Sequence, residues 1–200
     1  MGENGGMAAL TVMRFKHGPL WNFSYVVGVP GGDAVAIDPA WDVPAMLAAA
    51  SDAEMRIVAA LVTHGHRDHV QGLPELLQAV EAEVVAHEAE RALMEQEFGG
   101  EVRYVGDGAE MTVGGGTLVA VHTPGHTEGS VSFWGDGALF TGDTLMVSGP
   151  GRHGHEPGAE ELLRESLEQG LGRLPEETVV YPGHDEGREP YAKLGMILGR

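Results

Sequence analysis

The amino-acid sequence predicts a mixed α/β (α+β) fold, a four-layer αββα sandwich in which two β-sheets are covered on their outer faces by helices. Two observations lead to this prediction. Apolar runs of strand length alternate with amphipathic segments of helical period, and the alternation occurs in two similar halves of the chain. Because no linker and no sequence repeat divides the 200 residues, we predict a single domain over residues 1–200, with residues 1–6 as a disordered leader.

The first half combines a hairpin with alternating strands and helices. IVAALVT (residues 57–63) is a continuous apolar run of strand length, which is typical of a strand covered on both faces. EAERALMEQEF (residues 88–98) has helical period and is closed by two glycines. The other predicted elements are strands at residues 10–15, 23–29 and 84–87, a turn at residues 31–33 followed by a strand, and helices at residues 43–50 and 73–82.

The second half repeats the strand pattern. MTVGGGTLVAVHT predicts two strands around a glycine turn, and VSFWGDGALFTG predicts a hairpin around residues 135–137. AEELLRESLEQGL (residues 159–171) is predicted to form one helix with a leucine face, and TVVYPGH ends another strand. The C-terminal KLGMILGR is not assigned to an element.

Composition excludes several classes of function. The chain has no cysteine, so a disulfide framework, a thiolate metal site and a cysteine nucleophile are excluded. A formal net charge of −18 repels phosphate backbones and anionic membranes, so we expect no nucleic-acid partner and no membrane partner. The opening MGENGGMAAL lacks the features of a secretory signal and no apolar run approaches the ~20 residues of a membrane span, so we expect a cytoplasmic location.

Metal-ligating side chains follow four of the predicted strands, at the point where each strand ends. Rigid scaffolds deliver functional side chains into a common cleft from such positions. Imidazoles and carboxylates without thiolates suit zinc first, with iron and manganese also compatible. The candidates are His64, His66, Asp68 and His69 in THGHRDHVQG, His126 in HTPGHT, Asp143 in TGDT and His184 in PGH.

The spacing within THGHRDHVQG divides its ligands into two pairs. Residues two apart in an extended segment face the same way, so His64 and His66 can hold one ion. A turn would then direct Asp68 and His69 to the other side, and Val70 is expected to begin a helix whose positive end suits the carboxylate.

The later candidates complete two sites. His126 is the candidate for a third nitrogen on the first ion, and His184 is available to the second ion. A carboxylate such as Asp143 can bridge two ions that lie ~3.5–4 Å apart. We therefore predict two divalent metal ions.

Taken together and in this order, THGHRDH, HTPGHTEGS, LFTGDTL and YPGH resemble the metallo-β-lactamase superfamily. The resemblance covers nearly the whole chain, from the hairpin before Asp38 to His184, and it implies the αββα sandwich. The sites that it implies are a first one of His64, His66 and His126 and a second one of Asp68, His69 and His184, with Asp143 shared.

Within that superfamily, GDTLMVSGPGR (residues 142–152) is similar to a loop of the glyoxalase II group, the hydroxyacylglutathione hydrolases. The similarity implies a hydrolase in which a metal-activated hydroxide attacks a thioester or ester such as an S-acylglutathione. Asp68 would orient the hydroxide, and Arg152 would contact an anionic small-molecule substrate. Pro150 stands where the group usually has a cysteine, and Gly154 where it has a tyrosine.

Two alternatives remain open. The same loop and the tail YPGHDEGREPYAKLG resemble the persulfide dioxygenases, which implies a single Fe(II) held by His64, His126 and Asp143 and glutathione persulfide as the substrate. A lactonase is the other alternative. The sequence is also compatible with a homodimer.

Overall fold

The structure is a computed structural model that describes residues 9–200. The predicted leader, residues 1–6, lies outside the described residues. The helices that cover the sheets are short. They are α1 Val43–Asp52, α2 Arg67–Val70, α3 Leu73–Ala79, α4 Arg91–Glu97, α5 Ala159–Glu165 and α6 Leu194–Ile197.

Two six-stranded sheets form the centre of the molecule. The first contains β1 Thr11–His17, β2 Asn22–Gly28, β3 Asp33–Ile37, β4 Arg56–Leu61, β5 Glu83–His87 and β6 Arg103–Val105, in that order across the sheet. The second contains β7 Glu110–Val113, β8 Gly116–His122, β9 Val131–Gly135, β10 Ala138–Gly142, β13 Val179–Pro182 and β14 Ala192–Lys193. Its order is β14-β13-β10-β9-β8-β7, and β11 Leu145–Met146 pairs separately with β12 Gly149–Pro150.

Three apolar layers confirm the predicted αββα sandwich. Between the sheets, Phe23 and Tyr25 of β2 lie in one buried cluster with Phe133 and Phe140 of the second sheet. The outer face of the first sheet packs against α1, α3 and α4, and that of the second sheet packs against the segment that begins with α5. Because each sheet buries apolar side chains on both faces, both sheets need a helical cover.

The structure corrects several predicted boundaries. The helix predicted over residues 159–171 is wrong as a single α-helix: α5 is followed by a π-helical turn, Ser166–Gly170, and a 3₁₀ turn, Leu171–Arg173. The wider turn lets Ser166 Oγ donate to the Pro124 carbonyl oxygen while the leucine face stays on the sheet. Elsewhere, α3 ends at residue 79 and not 82, and residues 88–98 divide into the 3₁₀ turn Glu88–Glu90 and α4. Sequence reasoning missed β6.

Strand direction places one edge of the sandwich at the functional site. β8, β10 and β13 run in the same direction, since β8 and β10 are both antiparallel to β9 and β13 is parallel to β10. Backbone hydrogen bonds from Phe23 N–H to Gly183 O (2.7 Å) and from Val131 N–H to Thr63 O (2.9 Å) join the two sheets at that edge. Within residues 9–200, no helix has the length and apolar character needed to cross a bilayer.

The layer between the sheets should dominate stability. Replacing the fully buried Phe133 with alanine is expected to lower the free energy of unfolding by about 3–5 kcal/mol, because apolar contacts are lost and a cavity is left. Denaturant titration measures this loss. Met196→Ala, at a side chain that is 74% exposed, is the control and should change stability by about 0.5 kcal/mol or less. Equal effects of the two substitutions would contradict this account of the core.

Candidate metal centre

All seven side chains predicted as ligands meet at the edge of the sandwich where β4, β8, β10 and β13 end. His64 and His66 follow β4, and the short helix α2 carries Asp68 and His69. The structure corrects the start of that helix: Arg67 is its first residue and Val70 its last, and the turn is fixed by the hydrogen bond from His69 N–H to His66 O (2.8 Å).

A first cluster contains His64, His66 and His126, whose ligand atoms all lie within 4.8 Å of one another. His66 Nδ1 and His126 Nε2 are 3.0 Å apart. Ring nitrogens grouped this closely suit a common cation.

A second cluster contains Asp68, His69 and His184, again with ligand atoms within 4.8 Å of one another. His69 Nε2 lies 3.3 Å from His184 Nε2 and 3.7 Å from Asp68 Oδ2. Asn22 Nδ2 donates to Asp68 Oδ2 (2.9 Å), which holds the carboxylate towards the cluster.

Asp143 lies between the two clusters. One of its oxygens, Oδ2, is 3.6 Å from His126 Nε2 of the first cluster and 3.3 Å from His184 Nε2 of the second. Its other oxygen, Oδ1, is 3.5 Å from His69 Nε2. The preceding residue, Gly142, has φ +48°, and a Cβ there would collide with Thr63, so only glycine lets Asp143 reach this position.

Hydrogen bonds from one ring nitrogen orient most of these histidines so that the other nitrogen faces inward. His126 Nδ1 donates to the Arg152 carbonyl oxygen (2.7 Å), and His184 Nδ1 donates to the Leu20 carbonyl oxygen (2.9 Å). These contacts assign the tautomers, because a nitrogen that donates to a carbonyl leaves the other nitrogen with a free lone pair. Such partners are the usual support of a metal-binding imidazole.

Asp38 is a residue of the candidate site that sequence reasoning missed. Its carboxylate accepts from Thr63 Oγ1 (2.6 Å) and from His69 Nδ1 (3.0 Å). Since the Thr63 hydroxyl proton is directed to Asp38, His64 Nδ1 must donate to Thr63 Oγ1 (3.2 Å). Asp38 therefore orients one histidine of each cluster. Its signal in the sequence was an acidic residue directly after a strand.

Two buried polar atoms support the fit of a cation to this centre. His64 Nε2 and Asp143 Oδ1 are buried, and neither has a hydrogen-bond partner among the described residues. An unpaired buried polar atom is costly, and cations coordinated by these two atoms would remove that cost. The donor set, imidazole nitrogens with carboxylate oxygens, suits a divalent transition metal.

The two clusters differ in their electrostatics. Burial, together with the neighbouring imidazole of His69, lowers the pKa of His64 well below its ordinary value. Burial also opposes the charged form of His69, but the carboxylates of Asp143, Asp38 and Asp68 outweigh it and raise the pKa of His69 to about 9. Burial favours protonation of Asp143, yet the facing imidazoles hold the pKa of its carboxyl well below the usual range.

A pocket of about 240 Å³ opens above the clusters. Leu20 and Met146 line its wall together with Arg152 and Glu186. The structure thus places the predicted substrate contact, Arg152, at the mouth of the site. Its exposed guanidinium lies 4.0 Å from Glu186 Oε1.

The sequence matches the family described as the metallo-beta-lactamase superfamily over residues 18–184. The hydroxyacylglutathione hydrolase of Anaeromyxobacter dehalogenans is 38% identical to the chain over 166 residues, which cover 82% of this chain and 61% of that protein. The chain therefore spans about three fifths of the length of that relative.

Two further comparisons cover more of the matched protein. A probable polyketide biosynthesis zinc-dependent hydrolase, BaeB of Bacillus velezensis, is 28% identical over 181 residues, covering 90% of this chain and 80% of BaeB. The crystal structure of TTHA1623 in a di-iron-bound form is similar with a TM-score of 0.79 and 30% identity, covering 92% of this chain and 96% of that one.

Zinc binding should release a proton from the second cluster. The facing carboxylates raise the pKa of His69 to about 9, so at neutral pH we expect the metal-free ring to carry a second proton, on Nε2, which must leave before that nitrogen can bind a metal. The apparent affinity for zinc should therefore rise with pH up to about pH 9, by about tenfold per pH unit for each proton released. Titration calorimetry in two buffers of different ionisation enthalpy counts the protons. An affinity that is constant between pH 7 and 9, with no proton release, would contradict the assignment.

Proposed function

The chain belongs to the metallo-beta-lactamase superfamily, and on that premise we propose that it is a metal-dependent hydrolase of the glyoxalase II-like group that cleaves a thioester or ester. The observation that carries the proposal is the arrangement of two complete ligand clusters on either side of Asp143, beneath a solvent-open pocket. Two sites joined by a carboxylate are the arrangement of hydrolytic two-metal centres.

The proposed metal ligands are the seven predicted side chains. His64, His66 and His126 would hold one ion, Asp68, His69 and His184 the other, and Asp143 would contact both. When bound, two divalent ions lower the pKa of a water molecule towards neutrality and polarise a carbonyl oxygen. We favour zinc, as in the name of the BaeB relative, and the di-iron form of TTHA1623 keeps iron as the second candidate.

The protein side chains would position the reactants. Asp68 is held by Asn22, so its carboxylate can orient the attacking water and accept a proton at a fixed place. Asp38 keeps the His69 ring in one tautomer and one orientation. These buried contacts are made before any substrate arrives, so the chain does not have to reorganise during the reaction.

The pocket wall favours an acyl group with an anionic end. Leu20 and Met146 offer apolar surface, and Arg152 offers a guanidinium to a carboxylate. Glu186 faces the same guanidinium and would compete with an anionic substrate for it. We propose a small anionic thioester as the substrate class. Glutathione conjugates are its first candidates, because the relative of A. dehalogenans is named for them.

The persulfide dioxygenase and the lactonase remain predictions, and one experiment tests them together with the proposed hydrolase. The protein is loaded with zinc or with Fe(II), its metal content is measured, and it is assayed with S-lactoylglutathione, glutathione persulfide and an acyl-homoserine lactone. We expect about two metal ions per chain and thioester hydrolysis that stops on chelation. One iron per chain with oxygen consumption on the persulfide would support the dioxygenase instead, and turnover of the lactone alone would support the lactonase.

Arg152 and Glu186 should have opposite effects on anionic substrates. Arg152→Ala is expected to raise KM about tenfold with kcat nearly unchanged, because it removes a contact made equally in the ground and transition states. Glu186→Gln should lower KM for the same substrate, because the competing carboxylate is gone. A neutral thioester is the matched control and should respond to neither substitution. Equal loss with the charged and the neutral substrate would contradict the proposed contact.

A further inference from the structure

Glu90 is a buried carboxylate that the proposed chemistry does not use. Glu90 is the last residue of the 3₁₀ turn Glu88–Glu90, immediately before α4, and only 2% of its surface is exposed. Burial of a carboxylate is costly unless its oxygens are hydrogen-bonded. The donors that satisfy Glu90 therefore indicate what this residue does.

The carboxylate of Glu90 accepts from two separate loops. Oε1 accepts from Gly65 N–H (2.9 Å), which lies between His64 and His66 in the chain. Oε2 accepts from the Thr127 hydroxyl (3.0 Å), in the residue directly after His126.

The second loop also approaches Glu90 through its backbone. Gly129 N–H faces the Glu90 carboxylate, and a Cβ at Gly129 would collide with Glu90 Oε2. Only glycine therefore permits this approach. On the other side, a Cβ at Gly65 would press against Leu93 of α4, so the Glu90–α4 segment supports both loops at once.

We propose that Glu90 is a positioning residue that fixes the first metal cluster by tying the His64–His66 loop to the His126 loop. The two loops follow strands of different sheets. The close approach of His66 Nδ1 to His126 Nε2 (3.0 Å) therefore depends on the distance between the loops. The inference rests on the proposed metal centre. It adds a division of roles: Glu90 contacts loops of the first cluster, whereas Asp38 contacts His69 of the second and reaches His64 through Thr63.

The three donors explain why the residue is an acid. An ionised carboxylate only accepts hydrogen bonds, so it can serve all three donors. In glutamine, an NH₂ group replaces one of the two carboxylate oxygens. That NH₂ group would face a backbone N–H of one of the loops, and two donors cannot form a hydrogen bond with each other. Glu90→Gln therefore keeps the size of the side chain but loses at least one of the ties.

The experiment measures zinc affinity and not activity. Glu90→Gln, the milder Thr127→Val and the wild-type chain are titrated with zinc against a chromophoric chelator. Glu88→Gln is the matched control, because it removes the same charge from an exposed residue of the same turn. We expect Glu90→Gln to lower the affinity for one of the two zinc ions about 10- to 100-fold. Thr127→Val should lower that affinity less, and Glu88→Gln should leave the affinity for both ions unchanged.

Two ligand-deleted backgrounds identify the affected ion. Asp68→Ala lowers the affinity of the second cluster for zinc. In this background, Glu90→Gln should still lower the affinity of the first cluster by the same factor. His66→Ala already lowers the affinity of the first cluster for zinc, so in this background Glu90→Gln should cause little further loss of affinity. Thermal unfolding of each metal-free variant identifies loss of the whole fold, which would weaken both ions together.

The outcomes separate the two proposals. A wild-type chain that binds fewer than two zinc ions would overturn the metal centre itself. A wild-type chain that binds two, with a Glu90→Gln variant that keeps both affinities or loses both equally, would overturn the role of Glu90 alone.

Discussion

The largely buried carboxylate of Asp143 is the constraint on which the rest of the site depends. Four imidazoles of the clusters pack with ring centroids only 4.1 to 4.8 Å apart, as between His64 and His69 and between His66 and His126. Burial, together with the neighbouring imidazoles, lowers the pKa of both His64 and His66. An acid at the centre offsets the charge that His69 carries, and it can do so only because Gly142 allows the chain to turn there.

The fold supplies this arrangement through strand direction. Strands from both sheets end at one edge of the sandwich, and backbone hydrogen bonds such as Phe23 N–H to Gly183 O close that edge. A rigid edge lets most of the histidines be oriented by a partner outside the cluster, including the carbonyl oxygens of Leu20 and Arg152. The geometry of the candidate centre therefore depends on the residues that hydrogen-bond to the histidines as much as on the proposed ligands themselves.

The short-range part of the site could be predicted from the sequence, and the long-range part could not. His64, His66, Asp68 and His69 lie in six consecutive positions, so their grouping is visible without a fold. Asp38 is 31 residues from His69, and its role depends on the pairing of β3 with β4.

The role proposed for Glu90 also depends on contacts that are distant in the sequence. In the sequence it is one acid of EAERALMEQEF, where helical period favours a solvated face. It is buried only because Gly65 and Thr127, 25 and 37 residues away, bring two loops onto it. The αββα layers followed from strand and helix patterns, but the π-helical turn after α5 occurs together with a tertiary contact, Ser166 to Pro124, that local propensity does not contain.

We propose that seven side chains from two sheets form one centre for two ions that share Asp143. Anomalous diffraction at the zinc edge, from crystals of the zinc-loaded protein, tests it most directly. We expect two peaks about 3.5–4 Å apart, one beside each cluster, with Asp143 between them. A single peak, or two peaks without Asp143 between them, would contradict it.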